Sequence, residues 1–325
     1  MNQHSFEGRV AAVTGAGRGI GRAYARLLAE RRASVVDNDL GGSIQGVGAD
    51  AEPASTVAGE IASAGGVAIA DNSDVATAVG AQALVDRAVE QFGRLDIVIN
   101  NAGIMRWAGF PEADAENLAK HLDVHVAGSF NTARAAWPHM VEQGYGRIVM
   151  TTSSGMFGLP DNLSYATAKA AVLGLTRSLT TAGAAHGIKV NLIAPAAFTR
   201  MAGRRSDEVD SLGRGSGPPQ MSPDLVAPMA AFLAHESCPA SGEIYAAGAG
   251  RFARIFIAST VGYVHSAPEP TIEDVAQNWA TINDESGYYV PHDLTDWSAA
   301  FMAHLLPGGA APAPREASHG HRTGR

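Results

Sequence analysis

The chain has 325 residues, 46% hydrophobic and 17% charged, with a formal net charge of −8 and an isoelectric point near 5.7. That balance suits one large domain or two small ones with ample core, and the lack of a strong basic tract argues against nucleic acid as a partner. The single cysteine, Cys238, rules out an internal disulfide or a cysteine-based zinc site and suits a reducing compartment. No apolar run reaches the ~18 residues of a membrane span, and the amino-terminal MNQHSFEGRV has no secretory apolar segment, so a cytoplasmic location off the membrane is expected.

Short β-branched runs alternate with longer Ala- and Leu-rich stretches, the pattern of strand–helix–strand units in a parallel sheet. The first strand is predicted at Arg9–Thr14 and runs into Gly15-Ala-Gly-Arg18-Gly19-Ile20-Gly21, which opens a helix at Ile20–Arg32. Glycine lets a backbone turn sharply against a phosphate, and the helix N-terminus offers free N–H groups and partial positive charge to a pyrophosphate. The second strand, Ser34–Asn38, ends in Asp37-Asn38-Asp39. An acid some 20 residues past the glycines accepts from ribose hydroxyls and repels a 2′-phosphate, which favours NAD. Arg18 and Arg22 keep NADP open.

A helix at Ser55–Ala64, a strand at Val67–Asp71, a helix at Val75–Phe92 and a strand at Ile97–Asn100 follow, the last running into Asn101-Ala102-Gly103. A long helix over Glu116–Gln143 leads to a strand at Arg147–Thr152 and the hydroxyl cluster Thr151-Thr152-Ser153-Ser154. The helix Ser164–His186 carries Tyr165 and Lys169 at a spacing of four, on one face. A free phenol, with a pKa near ~10, is a poor base at neutral pH, and an ammonium beside it is expected to lower that value. The tyrosine can then exchange a proton with an alcohol or carbonyl oxygen that a nearby hydroxyl holds.

Strands at Lys189–Ile193 and Glu243–Ala246, with a helix at Pro223–His235, complete a catalytic domain expected over 1–250. An appendage packed on it is expected over 251–306, with helices at Thr271–Thr281 and Leu294–Leu305, then a disordered, low-complexity tail over 307–325. The Gly/Arg-rich stretch 203–217 reads as a mobile loop whose Arg204, Arg205 and Arg214 could meet a phosphate-bearing carrier. No histidine spacing suggests a metal site.

Taken together, Thr14-Gly-x-x-x-Gly-Ile-Gly21, Asp74-Val75, Asn100-Asn-Ala-Gly103, the serine cluster and Tyr165-x-x-x-Lys169 resemble the short-chain dehydrogenase/reductase family in order and spacing. The resemblance implies an α/β fold, a Rossmann-type doubly wound parallel sheet of about seven strands, with a mostly helical carboxyl-terminal appendage. It implies Tyr165 as acid/base and Lys169 as tuner of Tyr165 and binder of the nicotinamide ribose. Gly15, Arg18, Gly19, Ile20 and Gly21 would hold the pyrophosphate side, Asp39 the ribose, and Asp74 with Val75 the adenine. Asn101, Ala102 and Gly103 would line the cofactor, with Thr199 near its amide. The family's serine falls on Thr152 counted back from the tyrosine and on Ser153 counted from Arg147. Strand register is the firmer guide, because a one-residue slip reverses a side chain's face, so Ser153 is favoured and Thr152 stays a candidate. Where many members carry an asparagine, this chain has His125, either a relay or a packed ring.

Further runs, Val-Val-Asp-Asn-Asp-Leu-Gly-Gly42, Val124-His-Val-Ala-Gly-Ser-Phe130 and Arg134-Ala-Ala-Trp-Pro-His-Met140, resemble the (3R)-hydroxyacyl-CoA dehydrogenase unit of peroxisomal type-2 multifunctional enzymes and its bacterial stand-alone relatives. That subgroup implies NAD-dependent oxidation of a (3R)-hydroxyacyl-CoA to the 3-oxoacyl-CoA, and the family resemblance implies a homodimer or homotetramer through the long helices 116–143 and 164–186. The residues by themselves support alcohol-to-ketone chemistry on a small molecule, a CoA thioester being one candidate. A steroid or other hydrophobic-alcohol dehydrogenase and a non-catalytic nucleotide-binding protein are the alternatives.

Overall fold

The computed structural model describes residues 4–202, 218–267 and 269–305. The fold divides into two units, Met1–Ile255 and Phe256–Arg325. The stretch 203–217 and the tail 307–325 lie outside the described residues.

The first unit is built on β1 (Val10–Thr14), β2 (Ser34–Asn38), β3 (Val67–Asp71), β4 (Ile97–Asn100), β5 (Gly146–Thr151), β6 (Ile188–Ala196), β7 (Ile244–Gly248) and β8 (Arg251–Ile255). Their order is β3-β2-β1-β4-β5-β6-β7-β8. The first seven strands are parallel, and β8 returns antiparallel to β7. The sheet thus has one strand more than the sequence pattern predicts, and its unit ends five residues later, at Ile255. Gly248 pairs with Arg251 across a two-residue turn in which Ala249 (φ +50°) and Gly250 (φ +73°) are both left-handed. Such a turn matches the twist of paired strands, and the alternation of Arg251-Phe-Ala-Arg-Ile255 is its accompanying signal.

Buried parallel strands need helices on both faces. Alternate residues point to opposite sides: Val13, Val35 and Ile99 join α1 (Gly19–Glu30), α2 (Glu52–Ser63) and α7 (Ala227–Ala234), whereas Ala12, Val36 and Val98 join α3 (Ala78–Phe92), α5 (Gly128–Gln143) and α6 (Leu163–Gly183). Helix α3 starts later than predicted because Thr77 caps it, its hydroxyl accepting the Gly80 N–H. The long helix predicted over Glu116–Gln143 is three pieces: α4 (Ala115–His121), a π turn (Leu122–Ala127) and α5. A π turn re-aims the side chains it carries, here His125, one turn after the His121 that closes α4.

Ion pairs gather at the amino ends of the strands. Asp96, fully buried, lies 3.0 Å from Arg9 and 2.6 Å from Arg94 and accepts the Val10 N–H at 2.9 Å. The Arg9 and Arg147 guanidinium carbons lie 3.8 and 4.3 Å from the centre of the Tyr145 ring.

The second unit contains α8 (Ile272–Gln277), α9 (Trp279–Ile282) and α10 (Leu294–Phe301). Thr271 and Asp274 form a reciprocal capping box on α8, and Ser259 and Tyr289 exchange two backbone hydrogen bonds of 2.9 Å. None of its described residues is fully buried.

Candidate active site

Strand order reverses between β1 and β4, so the loops after them diverge and leave a crevice at their carboxyl ends, the usual ligand position in open α/β sheets. The turn after β1 occupies one side. Gly15 and Gly19 are left-handed, and a Cβ at Gly17 would lie 2.6 Å from Pro53 Cβ and 2.8 Å from the Asp39 carboxylate. A Cβ on Gly21 would overlap the Gly15 carbonyl oxygen. Helix α1 has no side-chain cap and no acid in its first turn, which leaves its N–H groups and positive dipole end available. Ile20 packs from α1 against the core. Thr14, which opens the glycine motif but has no role assigned from the motif alone, ties the two sides together. Its Oγ1 accepts the N–H of Asn101 and of Ala102, each at 3.0 Å, and Asn101 Nδ2 donates back to the Thr14 carbonyl at 3.0 Å.

The acids after β2 have different surroundings. Asp39 accepts the Gly17 N–H at 2.9 Å and the Gly41 N–H at 2.7 Å, which places a carboxylate against the glycine turn with lone pairs to spare for ribose hydroxyls. Asp37 is fully buried with neither carboxyl oxygen partnered, and burial, reinforced by Glu60, pushes it up to about 8. Arg22 pairs with Glu60 at 2.6 Å, whereas Arg18 Nη1 is buried without a partner. Thr199 lies over the turn, its methyl 3.5 Å from where a Cβ on Gly19 would be. Asp74 is exposed and caps the Ala76 N–H, and Val75 is buried beside it. The open helix end, glycines that admit no side chain and the orphaned Arg18 donor suit a pyrophosphate, so these residues fit a nicotinamide dinucleotide.

The other side of the crevice belongs to β5 and α6. Asn162 caps α6, its Oδ1 accepting the Tyr165 N–H at 3.3 Å; this asparagine, three residues ahead of the tyrosine, is the cap signal that places it. Tyr165 and Lys169 follow on one face, 9% and 4% exposed. Lys169 Nζ donates to the Thr151 carbonyl at 2.9 Å and lies 5.7 Å from the Tyr165 ring centre. Burial lowers Lys169 to about 7. The Tyr165 phenol is shifted up rather than down, by burial, against a smaller downward pull from a hydrogen bond with Ser153. The lowering expected from sequence is absent because the lysine is itself desolvated and holds its charge weakly near neutrality.

The two candidate hydroxyls are used differently. Thr152, buried, donates to the Lys169 carbonyl at 2.7 Å and so fixes the backbone of α6. Ser153 is half-buried, accepts the Gly155 N–H at 3.1 Å and lies on the Tyr165 side of Gly155, which leaves it the hydroxyl beside the phenol. His125 is buried on the π turn with Nε2 3.0 Å from the Ile104 carbonyl and Nδ1 unpartnered. A Cβ on Gly103 would lie 2.6 Å from His125 Cε1, so this glycine is needed for the close approach of the imidazole. Arg204, Arg205 and Arg214 lie outside the described residues. Among the described residues no group of His, Cys, Asp and Glu could hold a metal ion, and no helix is long and apolar enough to cross a membrane.

Fold and site together define an oxidoreductase on a dinucleotide-binding sheet. Residues 9–210 match the family model described as short chain dehydrogenase. A short-chain type dehydrogenase/reductase of Mycobacterium tuberculosis is 41% identical, the match covering 86% of this chain and 95% of that protein. The mouse peroxisomal multifunctional enzyme type 2 is 40% identical over 92% of this chain, but the match spans only 40% of that enzyme. The solved full-length peroxisomal multifunctional enzyme type 2 of Drosophila melanogaster superposes with a TM-score of 0.75 at 31% identity, covering 93% of this chain and 50% of that one. The chain belongs to the short-chain dehydrogenase family.

Proposed function

We propose that this protein interconverts a secondary alcohol and a ketone with NAD, and that its substrate is a (3R)-hydroxyacyl-CoA. The observation that carries the reading is the Tyr165 phenol with the Ser153 hydroxyl beside it and Lys169 one turn along, at the carboxyl ends of the strands. The similarity to peroxisomal multifunctional enzymes type 2 directs the choice of substrate.

In this reading the Ser153 hydroxyl holds the substrate oxygen beside Tyr165 Oη; the phenolate takes the proton from the alcohol, and in the reverse direction the phenol gives it to the ketone oxygen. Lys169, when protonated, favours the phenolate, and Thr151 and Thr152 hold the lysine's two ends, one at Nζ and one at its carbonyl. NAD, when bound, supplies the hydride acceptor. The glycine turn, the open end of α1 and Arg18 receive its pyrophosphate, and the Asp39 carboxylate takes the ribose and repels a 2′-phosphate. The exposed faces of α5 and α6 are the proposed contacts of a homodimer or homotetramer, and the single buried Cys238 suits a reducing compartment.

The experiment is nicotinamide reduction by purified protein with NAD or NADP, against 3-hydroxyacyl-CoAs of graded chain length and both stereochemistries, with steroid alcohols alongside. Turnover of the 3R series with NAD, at least ~10-fold better in kcat/KM than with NADP, is expected. Turnover of steroid alcohols alone would overturn the acyl-CoA assignment, and no turnover of any alcohol would overturn the enzymatic reading.

A further inference from the structure

His121 has no assigned part in the chemistry above, yet it packs against the central tyrosine. It closes α4, with His125 one helical turn on. The two imidazole planes are 10° apart with centres 5.9 Å apart, a stacked pair. Both meet the Tyr165 ring edge-on, His121 at 79° and 6.2 Å, His125 at 85° and 5.4 Å. Each also reads the backbone after β4: the Arg106 N–H donates to His121 Nε2, and the Ile104 N–H to His125 Nε2, both at 3.3 Å.

The hydrogen bonds decide the tautomer of His121. Its Nδ1 lies 2.8 Å from the Asn117 carbonyl, which can only accept, so Nδ1 carries the proton and Nε2 is the bare acceptor that Arg106 requires. The ring that fits here is therefore the neutral imidazole. Burial favours the same state, with the charges of Arg106 and Lys169 acting alongside. A phenyl ring could brace Tyr165 but could not accept from Arg106.

We propose that His121 is a positioning residue for Tyr165: its neutral ring braces the phenol and anchors the 104–106 segment through the Arg106 N–H, and a proton on Nε2 undoes both. The inference rests on Tyr165 being the acid–base group. Protonation puts one donor against another at Arg106 and adds a cation to a crowded neighbourhood. The groups facing it are Arg106 on the segment after β4, paired with Glu116 at 3.5 Å; Lys169 and Tyr165 on α6; and His125 on the π turn.

The test compares wild type, His121→Gln and His121→Ala by the pH dependence of kcat and KM, and by hydrogen exchange of the Arg106 amide without substrate. A glutamine carbonyl can accept from Arg106 but does not titrate. The Gln variant is expected to keep kcat within about fivefold at roughly pH 8 and to lose a wild-type acid-side inflection lying below the ordinary histidine value of about 6.5. The Ala variant is expected to lose about tenfold or more in kcat with little change in KM, and to lose Arg106 amide protection. Wild type at about pH 5 should lose the same protection once intrinsic exchange is corrected. An unchanged acid inflection in the Gln variant, or an Arg106 amide equally protected in the Ala variant, would overturn the proposal. Lost protection with unchanged kcat would overturn the catalytic half of it. Because exchange is read without turnover, failure of the Tyr165 assignment itself shows separately.

Discussion

At the amino ends of the strands, charge is matched by charge. Asp96 receives two guanidinium groups and a backbone N–H, Arg9 lies over Tyr145, and Arg147, though its Nε has no partner, donates through Nη1 to the Gly146 and Gly187 carbonyls at 2.8 and 3.0 Å. At the carboxyl ends several polar atoms have no partner: Arg18 Nη1, His125 Nδ1, Thr151 Oγ1 and both oxygens of Asp37. Buried polar groups in native proteins are nearly always satisfied, so a concentration of exceptions marks the end kept open for a ligand. One end of the sheet supplies stability, and the other, where we place the chemistry, carries unpartnered polar groups at a cost in stability.

Substitutions can separate the two. Lys169→Met, at the open end, is expected to lower kcat/KM about 10³-fold and to raise the melting temperature near neutral pH. The sign follows from linkage: a folded-state value near 7, below the unfolded ~10.4, makes the lysine costly below pH 7, and that cost fades as pH rises toward 10. Thermal melts from about pH 6 to pH 10 check it, the gain from Met shrinking along the series. Asp96→Ala, at the closed end, should reverse the pattern, costing about 3 kcal/mol in denaturant unfolding because the buried Val10 N–H and two guanidiniums lose their acceptor, with kcat within about twofold. Asp37→Val should stabilise by about 2 kcal/mol near pH 8, by removing an unpartnered buried carboxyl. Here the folded value is raised, so stability falls as pH climbs from about 4 to 8, and the Val variant should lack that decline. An Asp96→Ala protein that is stable but inactive would break the contrast between the ends.

Much of this was legible in the sequence because it rests on residue type and spacing. Seven strands follow from hydrophobic runs, the glycine turn from Gly15 to Gly21, and the Tyr165–Lys169 face from a spacing of four. Strand β8 was hidden because Gly248-Ala249-Gly250 reads as the close of a domain, and only the alternation after it betrays a hairpin. The π turn was hidden because its residues keep an ordinary helical composition, so the approach of His121 to Tyr165 depends on a backbone register that periodicity does not carry. The upward shift of Tyr165 was missed for another reason. Spacing placed the lysine correctly, but burial acts on both groups, and burial is a property of the packed site rather than of the motif.

The central claim is that the Tyr165 phenol transfers the proton while neighbouring groups hold substrate and cofactor. The direct measurement is single-turnover nicotinamide reduction by wild type and Tyr165→Phe with the same 3-hydroxyacyl-CoA, alongside the dissociation constant for NAD. The account predicts a rate lower by about 10³-fold or more in the Phe variant, with NAD affinity within about threefold of wild type. A Phe variant that reduces NAD at the wild-type rate would contradict it.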